Sequence, residues 1–111
     1  MKLIATVTIW AATLSLLGCS SKPDIEVTIS PNQYWGPLVF NVQSTGDSAT
    51  VKGVRINRGN CPLPAGTSKD LERTVKLGFG NSYQGFSPSC KVNDVKEIEV
   101  TTDAGTFTFH F

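Results

Sequence analysis

The chain has 111 residues, which is too short for two ordinary domains, and 40% of them are hydrophobic while only 17% are charged. Its 10 Lys and Arg nearly balance its 9 Asp and Glu, and it contains 10 Gly and 6 Pro. This composition is typical of a compact β-rich domain and argues against a disordered chain, a coiled coil or a charge-driven nucleic-acid binder.

Residues 1–19 have the pattern of an export signal. Lys2 gives a short positive start, and residues 3–17 carry no charge. An apolar run of about fifteen residues suits the core of a signal peptide and is too short to span a bilayer comfortably. The sequence LLGC at residues 16–19 resembles the lipobox of bacterial lipoproteins, in which aliphatic and small residues precede an invariant Cys.

This resemblance implies that Cys19 receives a diacylglycerol group, that residues 1–18 are removed, and that the new amino terminus is acylated, for example with palmitate. Two or more acyl chains anchor a protein stably. In enteric bacteria an Asp after the lipobox Cys retains the protein in the inner membrane. Because Ser20 follows here, we expect an outer-membrane lipoprotein that faces the periplasm. Residues 19–23 then form a lipidated tether, and residues 24–111 form a single domain.

The mature chain is electrically balanced. Removal of residues 1–18 takes away Lys2 and leaves 9 basic and 9 acidic groups. No basic run remains for nucleic acid or anionic lipid, so membrane attachment must depend on the acyl chains. We expect no cofactor apart from these covalent lipid groups.

Alternation of apolar and polar residues predicts strands along most of the mature chain. In the third of them Val51 is out of phase with Val54 and Ile56, which indicates a bulge at Gly53. The predicted strands cover residues 25–30, 38–42, 49–58 and 75–79, a segment around Ile98 and Val100, and residues 106–111, where Phe107, Phe109 and Phe111 share a face that we expect to fill the core.

The connections carry turn signals. Residues 44–48 form a polar turn whose Gly-Asp pair predicts a hairpin. Residues 59–71 and 80–89 are rich in Gly, Pro and Ser and are predicted to be loops. The one helical element expected is a turn over residues 68–73, capped by Ser68.

Two cysteines remain in the mature domain, and both lie in predicted loops. In an oxidising compartment, an even pair such as Cys61 and Cys90 predicts a disulfide. The closed loop of about thirty residues is worth roughly 3.6 kcal/mol in the chain-entropy model. Neither Cys belongs to a CxxC motif or lies near a His, so we expect no metal site.

Six or seven strands in about ninety residues predict an all-β fold. We expect a small antiparallel β-sandwich of immunoglobulin-like architecture with one disulfide. A small, partly open β-barrel is the alternative.

The sequence offers little for catalysis. His110 is the single imidazole, and no Ser lies in a nucleophile motif. Glu97 and Glu99 alternate on one strand face, about 7 Å apart, as a glycosidase pair would, but exposed strands carry such pairs routinely. We therefore expect no enzymatic activity.

Binding is the better hypothesis. Large aromatic side chains in loops can form a contact hot spot or stack on a sugar, although Trp35 can equally seal the core. An Arg beside a disulfide-linked loop suits recognition, because the constraint lowers the entropy cost of binding. The residues expected to contact a partner are Tyr34, Trp35, Arg55, Arg58, Tyr83 and Phe86.

Three functions follow from these features. The first is a non-catalytic protein-binding or accessory module of a cell-envelope assembly, of the secretion, conjugation or exclusion type. The second is a periplasmic inhibitor of a hydrolase that attacks the envelope, such as lysozyme. The third is a purely structural envelope tether.

Overall fold

The computed structural model describes residues 23–34 and 36–111, which contain seven β-strands and one α-helix. The predicted signal peptide, residues 1–18, and the predicted lipidation site Cys19 lie outside the described residues. The strands are β1 (Ile25–Asn32), β2 (Gly36–Ser44), β3 (Ser48–Ile56), β4 (Val75–Gly78), β5 (Ser82–Ser87), β6 (Glu97–Thr102) and β7 (Gly105–His110), and helix α1 (Ala65–Glu72) lies between β3 and β4.

The strands form two antiparallel sheets. One has the order β1-β2-β5 and the other the order β4-β3-β6-β7. In constant-type antibody domains the fourth strand joins the sheet of the first, second and fifth, whereas here β4 pairs with β3. Two separate open sheets with seven strands confirm the predicted sandwich of six or seven strands, and the alternative of a barrel is wrong.

The core lies between the sheets, on the faces that the alternation pattern predicts. Leu38, Phe40 and Val42 of β2 are fully buried, as are Ile98 and Val100 of β6. Each such side chain stabilises the fold by about 1.5–3 kcal/mol relative to an exposed one. The bulge predicted in β3 is confirmed, because the pairing of β3 with β6 changes register between Val51 and Gly53.

The predicted hairpin at residues 44–48 is wrong. The turn joins β2 to β3, but β2 pairs with β1 and β5, while β3 pairs with β4 and β6. The chain therefore crosses from one sheet to the other here. A Gly-Asp turn permits either course, and the core-facing residues of the two strands decide between them.

The predicted loop at residues 59–71 contains α1. Pro64 occupies the N-cap position without a side-chain hydrogen bond, so Ser68 is not the cap. Ser68 lies inside the helix and donates its N–H to the carbonyl of Pro64 at 3.0 Å. Burial of Thr67 and Leu71, which are one turn apart, holds this short helix in place despite its weak intrinsic propensity.

The predicted loop at residues 80–89 contains β5, which pairs with β2. Gly85 lies opposite Phe40, and a Cβ at this position would overlap the Cζ of the Phe40 ring. Ser87 is also buried and donates its hydroxyl to the carbonyl of Pro62 at 3.1 Å. Gly85 and Ser87 face the core, and because both are small residues common in loops, the sequence of β5 was interpreted as a loop.

The expectation for the C-terminal phenylalanines is only partly met. Phe107 and Phe109 are half-buried and pack against the core, but Phe111 is 46% exposed. β7 is the edge strand of a four-stranded sheet, and the opposite sheet has only three strands to cover it. The edge strand therefore lacks full cover.

Candidate functional site

The chain reverses direction immediately after β3, in a turn with unusual backbone geometry. Asn57, Arg58 and Gly59 have φ angles of 51°, 59° and 95°, all in the left-handed region. This region costs a residue other than Gly about 1–2 kcal/mol, and Asn tolerates it better than most. Arg58 has no such tolerance, so surrounding contacts must hold it there. Residues 57–61 are called the Arg58 turn below.

The side chain of Asn57 supplies much of that support. Its Oδ1 accepts the backbone N–H groups of Lys96 at 2.7 Å and Glu97 at 3.2 Å. Its Nδ2 donates to the carbonyl of Asp94 at 2.7 Å. One amide thus joins the Arg58 turn to the segment that leads into β6, and it satisfies three backbone groups there.

The disulfide supplies a second support. Cys61 closes the Arg58 turn by donating its N–H to the carbonyl of Ile56 at 3.3 Å, and its sulfur is bonded to that of Cys90. Both cysteines are buried, and Cys90 lies in the loop after β5. The predicted pairing of Cys61 with Cys90 is confirmed, and it fixes the turn to a part of the chain 29 residues away.

These supports present the Arg58 side chain to solvent. The side chain is 76% exposed, and its Nε lies 3.4 Å from Oε1 of Glu97. An ion pair this exposed contributes little to stability, so the guanidinium remains available to a stronger partner. Beside it, Asn57, Asn60 and Lys96 complete a shallow depression of about 330 Å³.

Tyr34 lies at the same end of the sandwich, in the turn between β1 and β2. It is 85% exposed, and its N–H donates to Oδ1 of Asn32 at 2.8 Å. A single-turn 3₁₀ helix, Val92–Asp94, links this region to the Arg58 turn, since it contacts β1 and β2 and also accepts the hydrogen bond from Asn57. Trp35, the other predicted contact of this turn, lies outside the described residues.

Arg55 lies on the outer face of the four-stranded sheet. It is exposed and stands directly opposite Glu99 in the pairing of β3 with β6. Glu97 lies on the same face of β6 as Glu99. It contacts Arg58, and it is paired with His110 of β7. The two glutamates considered as a glycosidase pair are therefore each set beside a basic side chain on an open sheet face.

Tyr83 and Phe86 lie apart from the Arg58 turn, on β5. With Thr67 and Asp70 of α1 they line a cleft of about 270 Å³. The Tyr83 hydroxyl donates to Oδ2 of Asp70 at 3.1 Å, and its ring lies 6.4 Å from that of Phe40. Burial raises the pKa of Tyr83, and the hydrogen bond to the Asp70 carboxylate raises it further. The structure therefore gives Tyr83 a role in fastening α1 to β5.

Sequence reasoning missed Asn57, which organises the site. The alternation pattern extended the third strand to residue 58, whereas β3 ends at Ile56. The available signal was the residue type, since Asn two residues before a Gly is typical of turns and tolerates left-handed geometry. Its three backbone partners at residues 94–97 are distant in sequence and cannot be inferred from it.

Within residues 23–34 and 36–111, no group of three or more His, Cys, Asp or Glu side chains is placed to hold a metal ion. The described part of the chain also contains no helix that is long and apolar enough to cross a bilayer. No family model matches the sequence, and the comparisons with curated proteins and with solved structures likewise found no significant match.

Proposed function

We propose that this protein is an outer-membrane-anchored lipoprotein that acts as a non-catalytic, protein-binding module of a cell-envelope assembly. The lipobox at residues 16–19 supports the anchor, and Ser20 after Cys19 supports the outer membrane. The disulfide between Cys61 and Cys90 suits an exported protein, because such bonds persist in oxidising compartments.

The observation that carries the binding role is the display of Arg58. A long cationic side chain stands in solvent on a backbone that is strained and fixed from two sides. Strained residues cluster at functional sites, and Arg is one of the residues most enriched in binding hot spots. Because the backbone of the turn is already ordered, little backbone conformational entropy is lost when a partner docks.

The chemistry of the Arg58 turn selects the partner. A guanidinium pairs best with a carboxylate, which it can contact through two parallel hydrogen bonds. The neighbouring Tyr34 offers an aromatic surface at the same end of the domain. The partner is thus a protein that presents an acidic group beside an apolar patch.

The test is capture of the partner from native cells. Tagged protein is crosslinked in vivo, extracted in detergent and purified, and its partners are identified by mass spectrometry. Arg58→Ala should weaken capture by about 30-fold or more, as expected for a hot-spot residue worth 2 kcal/mol. Arg73→Ala is the matched control, because Arg73 is an exposed Arg at the end of α1.

Equal capture by wild type, Arg58→Ala and Arg73→Ala would overturn the role of Arg58. The anchor has its own test, in which Cys19→Ala should accumulate as an unacylated precursor. A normally processed, membrane-bound Cys19→Ala protein would refute lipidation at this residue.

A further inference from the structure

The opposite end of the sandwich carries an exposed aromatic side chain. Phe79 lies in the turn between β4 and β5 and is 73% exposed. Single exposed apolar residues are common on soluble proteins, so exposure alone says little. Phe79, however, lies close to Asp24, where the chain enters the domain.

Backbone hydrogen bonds join the turn of Phe79 to the point where the chain enters the fold. The N–H of Ser44 donates to the carbonyl of Asn81, and the N–H of Gly80 donates to the carbonyl of Ser44, both at 2.9 Å. The next residue, Thr45, donates its N–H to the carbonyl of Asp24 at 2.8 Å. Asp24, residues 44–47 and residues 78–81 therefore form one end of the domain, called the tether end below.

The tether is short. Between the expected lipid attachment at Cys19 and the hydrogen-bonded Asp24 lie only residues 20–23. The five steps from Cys19 to Asp24 span at most about 17 Å when fully extended. The tether end must then stay within that distance of the bilayer surface. The Arg58 turn lies at the far end of β3, and nine strand residues place it about 30 Å away.

We propose that Phe79 inserts into the boundary between headgroups and acyl chains of the membrane, and that this contact points the Arg58 turn away from the bilayer. The inference rests on the proposed lipidation of Cys19. One phenyl ring binds a membrane weakly by itself, but the tether makes the second contact intramolecular, so a weak contact suffices.

The charges at the tether end indicate an apolar contact. Residues 78–81 (GFGN) carry no charge, and Gly80 adopts a φ of 81°, which keeps the turn tight. Asp24 and Asp47 are exposed at the same end and would repel anionic headgroups. We therefore expect the contact to need no anionic lipid, to weaken as the content of anionic lipid rises, and to recover when salt screens the repulsion.

Spin labelling of the lipidated protein tests this geometry. Cys19 carries lipid, and Cys61 and Cys90 are bonded to each other, so Phe79→Cys would provide the only free thiol for a nitroxide. The protein is reconstituted in vesicles of phosphatidylethanolamine and phosphatidylglycerol. Collision rates are then measured with oxygen, which partitions into lipid, and with a water-soluble nickel complex.

We expect the label at residue 79 to show a several-fold higher ratio of oxygen to nickel collisions than labels at Tyr34→Cys and Asp47→Cys. Tyr34 controls for an exposed aromatic position at the other end, and Asp47 for an exposed position at the tether end. Adding Phe79→Ser to the Asp47→Cys protein should move that label further from the membrane.

The outcomes separate this inference from the function on which it rests. Anchored protein whose label at residue 79 is as accessible to nickel as the label at residue 34 would overturn the membrane contact and leave the lipoprotein proposal standing. Protein without acyl chains, which fails to incorporate into vesicles, would overturn both.

Discussion

The two ends of the sandwich are held together by different means. At the end with the Arg58 turn, a disulfide and the side-chain amide of Asn57 fix two left-handed residues other than Gly. At the tether end, Asp24 is held to the neighbouring turn by a backbone hydrogen bond. The difference indicates that rigidity is concentrated where a strained side chain must be presented. Under the proposed lipidation of Cys19, the tether end connects the domain to its anchor and holds Phe79 near the membrane.

The largest expected effect comes from removing the disulfide. The double variant Cys61→Ala/Cys90→Ala should lose about 3.6 kcal/mol of unfolding free energy, because the unfolded chain regains the freedom of a thirty-residue loop. Urea unfolding measures this loss. Since the Arg58 turn is then held by hydrogen bonds without a covalent link, partner capture should fall as well. Unchanged stability would mean that the Arg58 end does not depend on its covalent link.

Sequence alone was sufficient for the disulfide and for most of the strands, because each depends on local pattern. Alternation identified β1, β2 and β3, and the two cysteines left after Cys19 is assigned to lipidation identified the disulfide pair. It failed at β5, where Gly85 is required by the ring of Phe40 and therefore disrupts the hydrophobic pattern. From sequence alone, a Gly that makes room for a neighbouring side chain looks the same as a Gly that allows a turn. Only the position of Phe40 in the structure distinguishes the two cases at Gly85.

Sequence alone identified individual residues of the candidate site but not their arrangement. Arg58 was identified from its place beside Cys61, and Tyr34 from its place in a turn. Their arrangement at one end depends on contacts between distant segments, of which the hydrogen bonds of Asn57 to residues 94–97 are the clearest. Tyr83 was selected by its residue type, and its contacts join α1 to β5.

The next largest effect should come from Asn57. Asn57→Ala leaves three backbone groups without their partner and puts Ala in the left-handed region, so we expect a loss of about 3 kcal/mol. Asn57→Gly removes the same hydrogen bonds but relieves the backbone, and it should lose about 1 kcal/mol less. Chemical denaturation of both variants separates the two contributions. Equal losses would show that backbone strain is not important at this position.

A smaller effect of opposite sign is expected at Arg58. Arg58→Gly should raise stability by about 1 kcal/mol, or about 4 °C in Tm, because Gly adopts a φ of 59° without steric cost and the exposed ion pair contributes little. Arg58→Ala keeps the strain and should give no such gain. If Arg58→Gly is more stable and binds the partner less, the strain is maintained for function. A destabilised Arg58→Gly protein would show that the side chain, and not the backbone, dominates this turn.

The smallest effect should be found at the tether end. A Cβ at Gly46 would lie 2.8 Å from the Cγ of Asp24, so one of the two must move. Asp24 is near the start of the fold and exposed, and we expect it to shift at a cost below about 1 kcal/mol. Gly85→Ala is the matched comparison, because the buried ring of Phe40 cannot yield and the cost should be about 1–3 kcal/mol or more.

A double-mutant cycle completes this test. Asp24→Gly removes both the Cγ and the Cβ that a new Cβ at Gly46 would meet at 2.8 and 3.0 Å. The cost of Gly46→Ala should therefore vanish in the Asp24→Gly background if those contacts are its only cause. A cost for Gly46→Ala equal to that of Gly85→Ala would mean that the tether end is as rigid as the core. In that case the domain would be rigid from Asp24 onward, and the proposed membrane contact of Phe79 would orient the sandwich as one body.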